Sequence, residues 1–194
     1  MKHETYFYNC SKPYIDGIYP GLFSEIAETI EALPKRGTQS EINKDIFWLL
    51  TSKGWSYDST PAGIKASESS DLPTTGISSL KDIKSRNIRD LCLTSTTLGA
   101  NWHSDFGKRF GNQLVQIEAQ FGKVESMFKD FCGFKICSYE RRLTLGIEIV
   151  ISEPNSYFKH RKASTSGMAY FDIAKQTLPA IDLNCPIWLI GLKE

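Results

Sequence analysis

The stretch Asn112-Gln113-Leu114-Val115-Gln116-Ile117-Glu118-Ala119-Gln120-Phe121 alternates its side chains with a period of two. It reads as a β-strand, with Leu114, Gln116, Glu118 and Gln120 on one face and Val115, Ile117, Ala119 and Phe121 on the other. Two further segments extend the pattern. Leu143 to Ile151 (Leu-Thr-Leu-Gly-Ile-Glu-Ile-Val-Ile) is a β-rich, nearly continuous apolar run, the pattern of a central strand buried on both faces. Pro186 to Leu192 supplies a last strand. Between these, Val124 to Ser138 carries Met127, Phe128, Phe131 and Phe134 as a helix, and Gly167 to Leu178 also reads as helical. Such alternation predicts an α/β fold in which helices flank a mixed β-sheet.

The first half is patterned differently. Leu22, Phe23, Ile26, Ile30 and Leu33 recur at helical spacing, with Glu25, Glu28 and Glu31 mostly on the other side, and Pro34 helps to end that helix. A second helix is predicted over Glu41 to Ser52, closed by Gly54. Residues 56–79 are rich in Ser, Thr, Gly and Pro and read as a long surface loop rather than a linker. Leu80 to Leu93 reads as a third, weakly amphipathic helix.

The chain has 194 residues, enough for one domain spanning 1–194; a chain of this size buries roughly 70% of its unfolded surface. With 41% hydrophobic and 23% charged residues it is globular in composition. Its longest apolar stretches, such as Ile187 to Leu192, are far shorter than the roughly 18 residues that cross a bilayer. The N-terminus Met1-Lys2-His3-Glu4 lacks the apolar core of a signal peptide. Five cysteines without scaffold spacing suggest free thiols in a reducing cytoplasm. With 23 Lys and Arg against 22 Asp and Glu, the formal charge of +1 argues against binding nucleic acid through bulk positive charge.

Chemistry concentrates around the opening strand. Twelve residues separate Asp105 from Glu118, and a hairpin-like connection through Gly107 and Gly111 would fold the one beside the other. Two adjacent carboxylates raise each other's pKa and call for a cation. Hard oxygen donors, without Cys or His at ligand spacing, favour Mg²⁺ over zinc. The Ala119 carbonyl is a further candidate ligand, and Gln120 projects from the same face as Glu118. Such a metal can activate water and polarise a phosphoryl oxygen, as phosphodiester hydrolysis requires. A turn Asp and a Glu on a solvated sheet face would give the same spacing, which alone does not choose between the two.

The second half resembles the BglII/BstYI type of type II restriction endonuclease, a branch of the PD-(D/E)xK nucleases. The resemblance is carried in collinear order by Asp105-Phe106-x-Lys108, Ile117-Glu118-x-Gln120-Phe121-Gly122-Lys123, Gly146-Ile147-Glu148-Ile149, Ser166-Gly167-x-x-Tyr170-Phe171 and Leu189-Ile190-Gly191. The helix Phe23 to Leu33 and the segment Asn43 to Trp55 are similar as well. This resemblance implies a restriction-endonuclease-like core in a homodimer that clamps double-stranded DNA and cuts a palindrome with Mg²⁺. A cognate DNA methyltransferase and a bacterial or archaeal cytoplasmic setting go with it. Asp105 and Glu118 would take the metal positions. Gln120 would stand where most of the superfamily has Lys, orienting the attacking water, since a Gln cannot be a general base. Asp58 is a candidate for the upstream residue that completes such sites. Lys123 matches a base-reading position that can donate to guanine O6 and N7. Ser166 and Gly167 fall in the family's other reading loop. A hexamer with a GATC core is the target class implied.

Other residues take their meaning from that setting. Lys159-His160-Arg161-Lys162 is a basic loop, solvated in the ordinary reading and a phosphate anchor beside a nuclease site; Lys159 and Arg161 are its candidates. Lys108 is a candidate backbone contact. His103 reads as a structural strand-end residue, and Cys132 and Cys137 as core thiols. Glu148 reads as a paired structural carboxylate, and Trp48, Trp55 and Trp188 as core. The competing functions are a nicking or repair nuclease of the same fold and a catalytically silent DNA-binding protein.

Overall fold

The computed structural model describes residues 1–64, 72, 79–98, 102–159 and 165–194. Among these, one six-stranded mixed sheet has the order β1-β6-β5-β4-β3-β2. The strands are β1 (His3–Tyr8), β2 (Ser56–Tyr57), β3 (Phe106–Phe110), β4 (Gln113–Ala119), β5 (Leu143–Ile151) and β6 (Ile187–Leu192). β4, β5 and β6 are parallel neighbours, whereas β1, β2 and β3 each pair antiparallel. The helices are α1 (Lys12–Ile18), α2 (Leu22–Glu31), α3 (Gln39–Ser52), α4 (Leu80–Arg86), α5 (Val124–Tyr139), α6 (Pro154–Tyr157) and α7 (Phe171–Ala180).

Chain direction explains the layers. The connections β4-α5-β5 and β5-α7-β6 both join parallel neighbours in the same sense, and their shared handedness sends both helices to one face. There Met127, Phe131 and Phe134 of α5 and Ala174 and Leu178 of α7 pack with Leu114 and Leu189. On the other face Ile26 and Ile30 of α2 and Ile42 and Ile46 of α3 cover Val115, Ile117, Ile147 and Trp188. β5 is therefore covered on both sides, which accounts for its apolar run. Trp48, Trp55 and Trp188 are buried.

Several expectations shift. α3 begins earlier than its apolar pattern, because Thr38 and Glu41 form a capping box that adds a first polar turn. The helix expected from Gly167 begins at Phe171; Gly167 has a φ of +74°, a conformation that suits a turn. The helix expected to reach Leu93 ends at Arg86, and a short 3-10 helix covers Arg89–Leu91. Five elements escape the hydrophobic pattern: β1, α1, β2, β3 and α6. All five cysteines are free, but Cys132 is exposed on α5, so only Cys137 of that pair is a core thiol. Among the described residues, no helix is long and apolar enough to cross a membrane.

Candidate active site

β3 and β4 form a hairpin that turns at Gly111, whose φ is +58°. Its register places Phe106 opposite Ile117, and hence Asp105 beside Glu118. The backbone N–H of Asp105 donates to Glu118 Oε2 at 3.1 Å, while the N–H of Ala119 donates to Asp105 Oδ2 at 2.9 Å. Glu118 is thus held by the backbone of Asp105, and Asp105 by that of the residue after Glu118. Gly107 lies inside β3 rather than in the turn, and a Cβ there would sit 2.3 Å from the Leu91 carbonyl oxygen. Only glycine lets the 89–94 segment cross that surface. Gln116, fully buried, fastens the same segment by donating from Nε2 to the carbonyls of Leu91 at 3.0 Å and Leu93 at 3.2 Å.

Strand alternation turns Glu118 to the α5 side, where two more carboxylates await. Glu148 is its partner in the β4–β5 register, and Asp130 projects from α5. Glu148 is 0% exposed, and among the described residues neither of its oxygens has a hydrogen-bond partner. It is therefore not the paired carboxylate expected. Burial first, then Asp130, Glu118 and Asp105, push its pKa well above the ordinary range. Burial and the charges of Asp105 and Asp130 do the same to Glu118. Burial likewise raises Asp130 to about 6, against the hydrogen bond it accepts from Gln120. Asp105 opens to solvent, yet the protein crowding its carboxylate raises its pKa, with Asp58 adding to the effect. Lys129 is the cation that opposes the shifts at Glu118 and Asp130.

Gln120 is engaged at both ends. Its Nε2 donates to Asp130 Oδ2 at 2.7 Å, and its Oε1 accepts from the Gly122 N–H at 2.8 Å. Asp130 went unnoticed in the sequence, because a single acid within an amphipathic helix pattern ordinarily faces water.

The donor chemistry fits a hard divalent cation. Carboxylates crowded into low dielectric with one nearby lysine lack positive charge, and Mg²⁺ commonly uses one or two carboxylates and keeps several waters. Among the described residues, no three carboxylate, imidazole or thiol groups form a ready ligand set. Asp105 and Glu118 could hold the ion, with backbone carbonyl and water oxygens completing it. A cavity of about 120 Å³ opens beside Asp105, lined by Asn43, Ser59, Pro61, Phe106 and Ala119. Asp58 is close by: its N–H donates to the Asp105 carbonyl at 3.0 Å, and its Oδ1 accepts from Arg89 Nε at 2.7 Å. His103 Nδ1 lies 3.6 Å from that same oxygen, at the site's edge.

Lys123, Ser166 and Gly167 come together. Lys123 bridges to Met168, the Val124 N–H donates to the Gly167 carbonyl at 2.9 Å, and the Ala169 N–H donates to the Gly122 carbonyl at 2.9 Å. A groove of about 730 Å³ runs beside this junction, between Val124, Pro154, Ser166, Gly167 and Tyr170. Lys108 points to the opposite face, a correction to its reading as a backbone contact. Its ammonium lies 2.9 Å from Glu25 Oε1 and 2.8 Å from the Lys53 carbonyl, over the Trp55 and Phe110 rings. Lys159 is held by Glu194 at 3.0 Å. Arg161 lies outside the described residues.

A family model described as restriction endonuclease BglII/BglIII matches residues 3–192 of this chain. No curated protein sequence matches it.

Proposed function

The chain belongs to the BglII/BglIII restriction endonuclease family, a family of type II site-specific deoxyribonucleases that bind and cut duplex DNA, and on that premise we propose that it is a Mg²⁺-dependent enzyme whose chemistry is centred on Asp105 and Glu118. The observation that carries this reading is the pair of backbone hydrogen bonds that hold the Asp105 and Glu118 carboxylates together at the β3–β4 hairpin, with Asp105 lining a cavity of about 120 Å³.

Asp105, Glu118 and the Ala119 carbonyl would hold the ion. When bound, Mg²⁺ supplies a water of lowered pKa and polarises the scissile phosphoryl oxygen. The protein's part is positioning. The Ala119 N–H aims the Asp105 carboxylate, and the Asp105 N–H aims that of Glu118. Asp130 and the Gly122 N–H fix the amide of Gln120 next to Glu118, where it orients water rather than accepting its proton.

Lys123 and the Ser166–Gly167 turn would read bases together, since one backbone junction holds both. The target proposed is a palindromic hexamer with a GATC core, protected in the host by a cognate methyltransferase. Cutting both strands of a palindrome calls for a homodimer. The outer face of α5 supports one: Phe128 and Tyr139 are exposed there by 40% and 88%, with Cys132 between them.

Sequencing the run-off ends of digested genomic DNA tests this reading. Ends that share one palindrome, appear with Mg²⁺ and vanish with EDTA are expected. Nicks scattered at damaged bases would favour a repair nuclease, and binding without cutting a silent DNA-binding protein.

A further inference from the structure

Residues 87–91 run from β2 to the surface of β3 and are fastened at both ends. At β2 the Tyr57 N–H donates to Asn87 Oδ1 at 2.9 Å, Asn87 Nδ2 donates to the Tyr57 carbonyl at 2.9 Å, and the Ile88 N–H donates to Ser56 Oγ at 3.1 Å. At β3 Gln116 holds the Leu91 carbonyl, and just beyond it the Ser104 N–H donates to the Cys92 carbonyl at 2.8 Å. Gln116 and Glu118 share a face of β4, so the segment lies on the face that Glu118 also uses. Its one cationic side chain is Arg89.

Arg89 contributes little to this packing, since its side chain is 59% exposed. Its Nε nonetheless donates to Asp58 Oδ1 at 2.7 Å, and the Asp58 N–H donates to the Asp105 carbonyl at 3.0 Å. One residue thus links the guanidinium to Asp105. Among the described residues, its two terminal nitrogens donate to nothing. A guanidinium is a planar fork that can hold one oxyanion along its Nε edge and another along the edge formed by its terminal nitrogens. Asp58 occupies the first edge and leaves the second to an incoming anion. An exposed ion pair adds little to stability. It does restrain a flexible side chain, and such pre-ordering lowers the cost of binding.

We propose that Arg89 is a contact to the DNA backbone, its terminal nitrogens gripping a phosphate next to the scissile one, with Asp58 as the positioning residue that aims it. The inference rests on the reading of Asp105 and Glu118 as the cutting site, since that reading places the scissile phosphate beside Asp105. It gives the 87–91 segment, which the carboxylate motif does not reach, a part in holding substrate. A phosphate contact fixes the duplex without reading its sequence.

The test uses the full chain and a short duplex carrying the palindrome found by end-sequencing, in Ca²⁺ to prevent cutting. Affinity is followed by fluorescence anisotropy over a range of KCl concentrations for wild type, Arg89→Ala and Arg89→Lys, and melting curves establish that each is folded. Loss of one phosphate contact lowers the slope of log affinity against log salt by about 0.9 for each protomer bound. Arg89→Ala is expected to show that shallower slope and weaker binding, with the cut sequence unchanged. Arg89→Lys keeps the charge and is expected to keep the slope. An unchanged slope in Arg89→Ala, or an equal loss of slope in Arg89→Lys, overturns the proposal. Cleavage in Mg²⁺ by Asp105→Asn would instead overturn the metal-site reading, whatever the slopes show.

Discussion

Asp105 and Glu118 each receive a backbone hydrogen bond from the other's strand: Asp105 N–H to Glu118 Oε2 at 3.1 Å, and Ala119 N–H to Asp105 Oδ2 at 2.9 Å. Their separation is therefore set by β-hairpin register rather than by flexible side chains. The backbone donors lower the pKa of each carboxylate, but burial and like charge raise it more. In this balance a divalent cation would act as the missing counter-charge.

Stability should depend on pH in an uncommon direction. Glu118, Asp130 and Glu148 have folded-state pKa values above their ordinary ones, so the folded chain binds the extra protons. Their contribution is full below the ordinary values of 3.8 to 4.5 and is lost as pH rises through the folded values, about 6 for Asp130. Metal-free protein is expected to melt at a lower temperature at pH 8 than at pH 5.5, and Mg²⁺ to restore more at pH 8. Melting curves with EDTA and with Mg²⁺ check this. A metal-free melting temperature that rises across that range would contradict it.

Asp130 should matter through Gln120. Asp130→Ala frees the Gln120 amide, and cleavage is expected to fall about 10- to 100-fold, the usual cost of removing such a support. Asp130→Asn keeps an oxygen for Gln120 Nε2 and should recover much of the rate. DNA binding measured in Ca²⁺ should be similar for both. Equal loss of cleavage in the two variants would show that the charge of Asp130, not its hydrogen bond, is what counts.

Lys108 and Lys123 should separate stability from specificity. Lys108→Met removes the cation facing the half-buried Glu25, which keeps the Trp55 Nε1–H at 2.8 Å, and should destabilise by about 1–3 kcal/mol, leaving the cut sequence unchanged. Lys123→Ala should leave stability nearly unchanged and relax the choice of base pairs. Urea unfolding and end-sequencing of digests distinguish the two; altered specificity in Lys108→Met would contradict the assignment.

The face of α5 predicts the quaternary state. Phe128→Asp places a charge beside the exposed Cys132 and Tyr139 on α5 and should shift a dimer towards monomer, seen as a lower mass in sedimentation. A wild-type chain that is monomeric, with and without DNA, would remove α5 from the account.

What the sequence disclosed follows from where hydrophobicity is periodic. β4, β5, α2 and α5 could be read because each presents a regular apolar face to a thick core. β3 could not: Phe106-Gly107-Lys108-Arg109-Phe110 breaks its alternation with a glycine needed for the Leu91 crossing and a lysine drawn inward to Glu25. β1 is the edge neighbour of β6, and its Thr5-Tyr6-Phe7-Tyr8 run has β-propensity without an alternating apolar face. In the site, Asp105, Glu118 and Gln120 were visible as a motif with local spacing. Asp130 was not, since an acid on an amphipathic helix ordinarily faces water, and neither was Arg89, whose partner Asp58 lies 31 residues away in sequence. Distance in sequence also explains the misreading of Lys108, whose partners lie on α2 and at the end of α3.

The +1 formal charge also takes on a different meaning. Acidic groups gathered around Asp105 and Glu118 cancel basic groups elsewhere in the sum, so the total does not report the charge at any one surface. The salt dependence of binding should follow the few phosphate contacts made rather than net charge.

The central claim is that Asp105 and Glu118 form a metal-dependent cutting site, and incubating plasmid DNA with wild-type, Asp105→Asn and Glu118→Ala protein tests it most directly. The prediction is discrete double-strand breaks by wild type in Mg²⁺, none in EDTA, and none by either variant, although both still shift the same DNA in a binding gel. Full cleavage by either variant, or by wild type in EDTA, would contradict it.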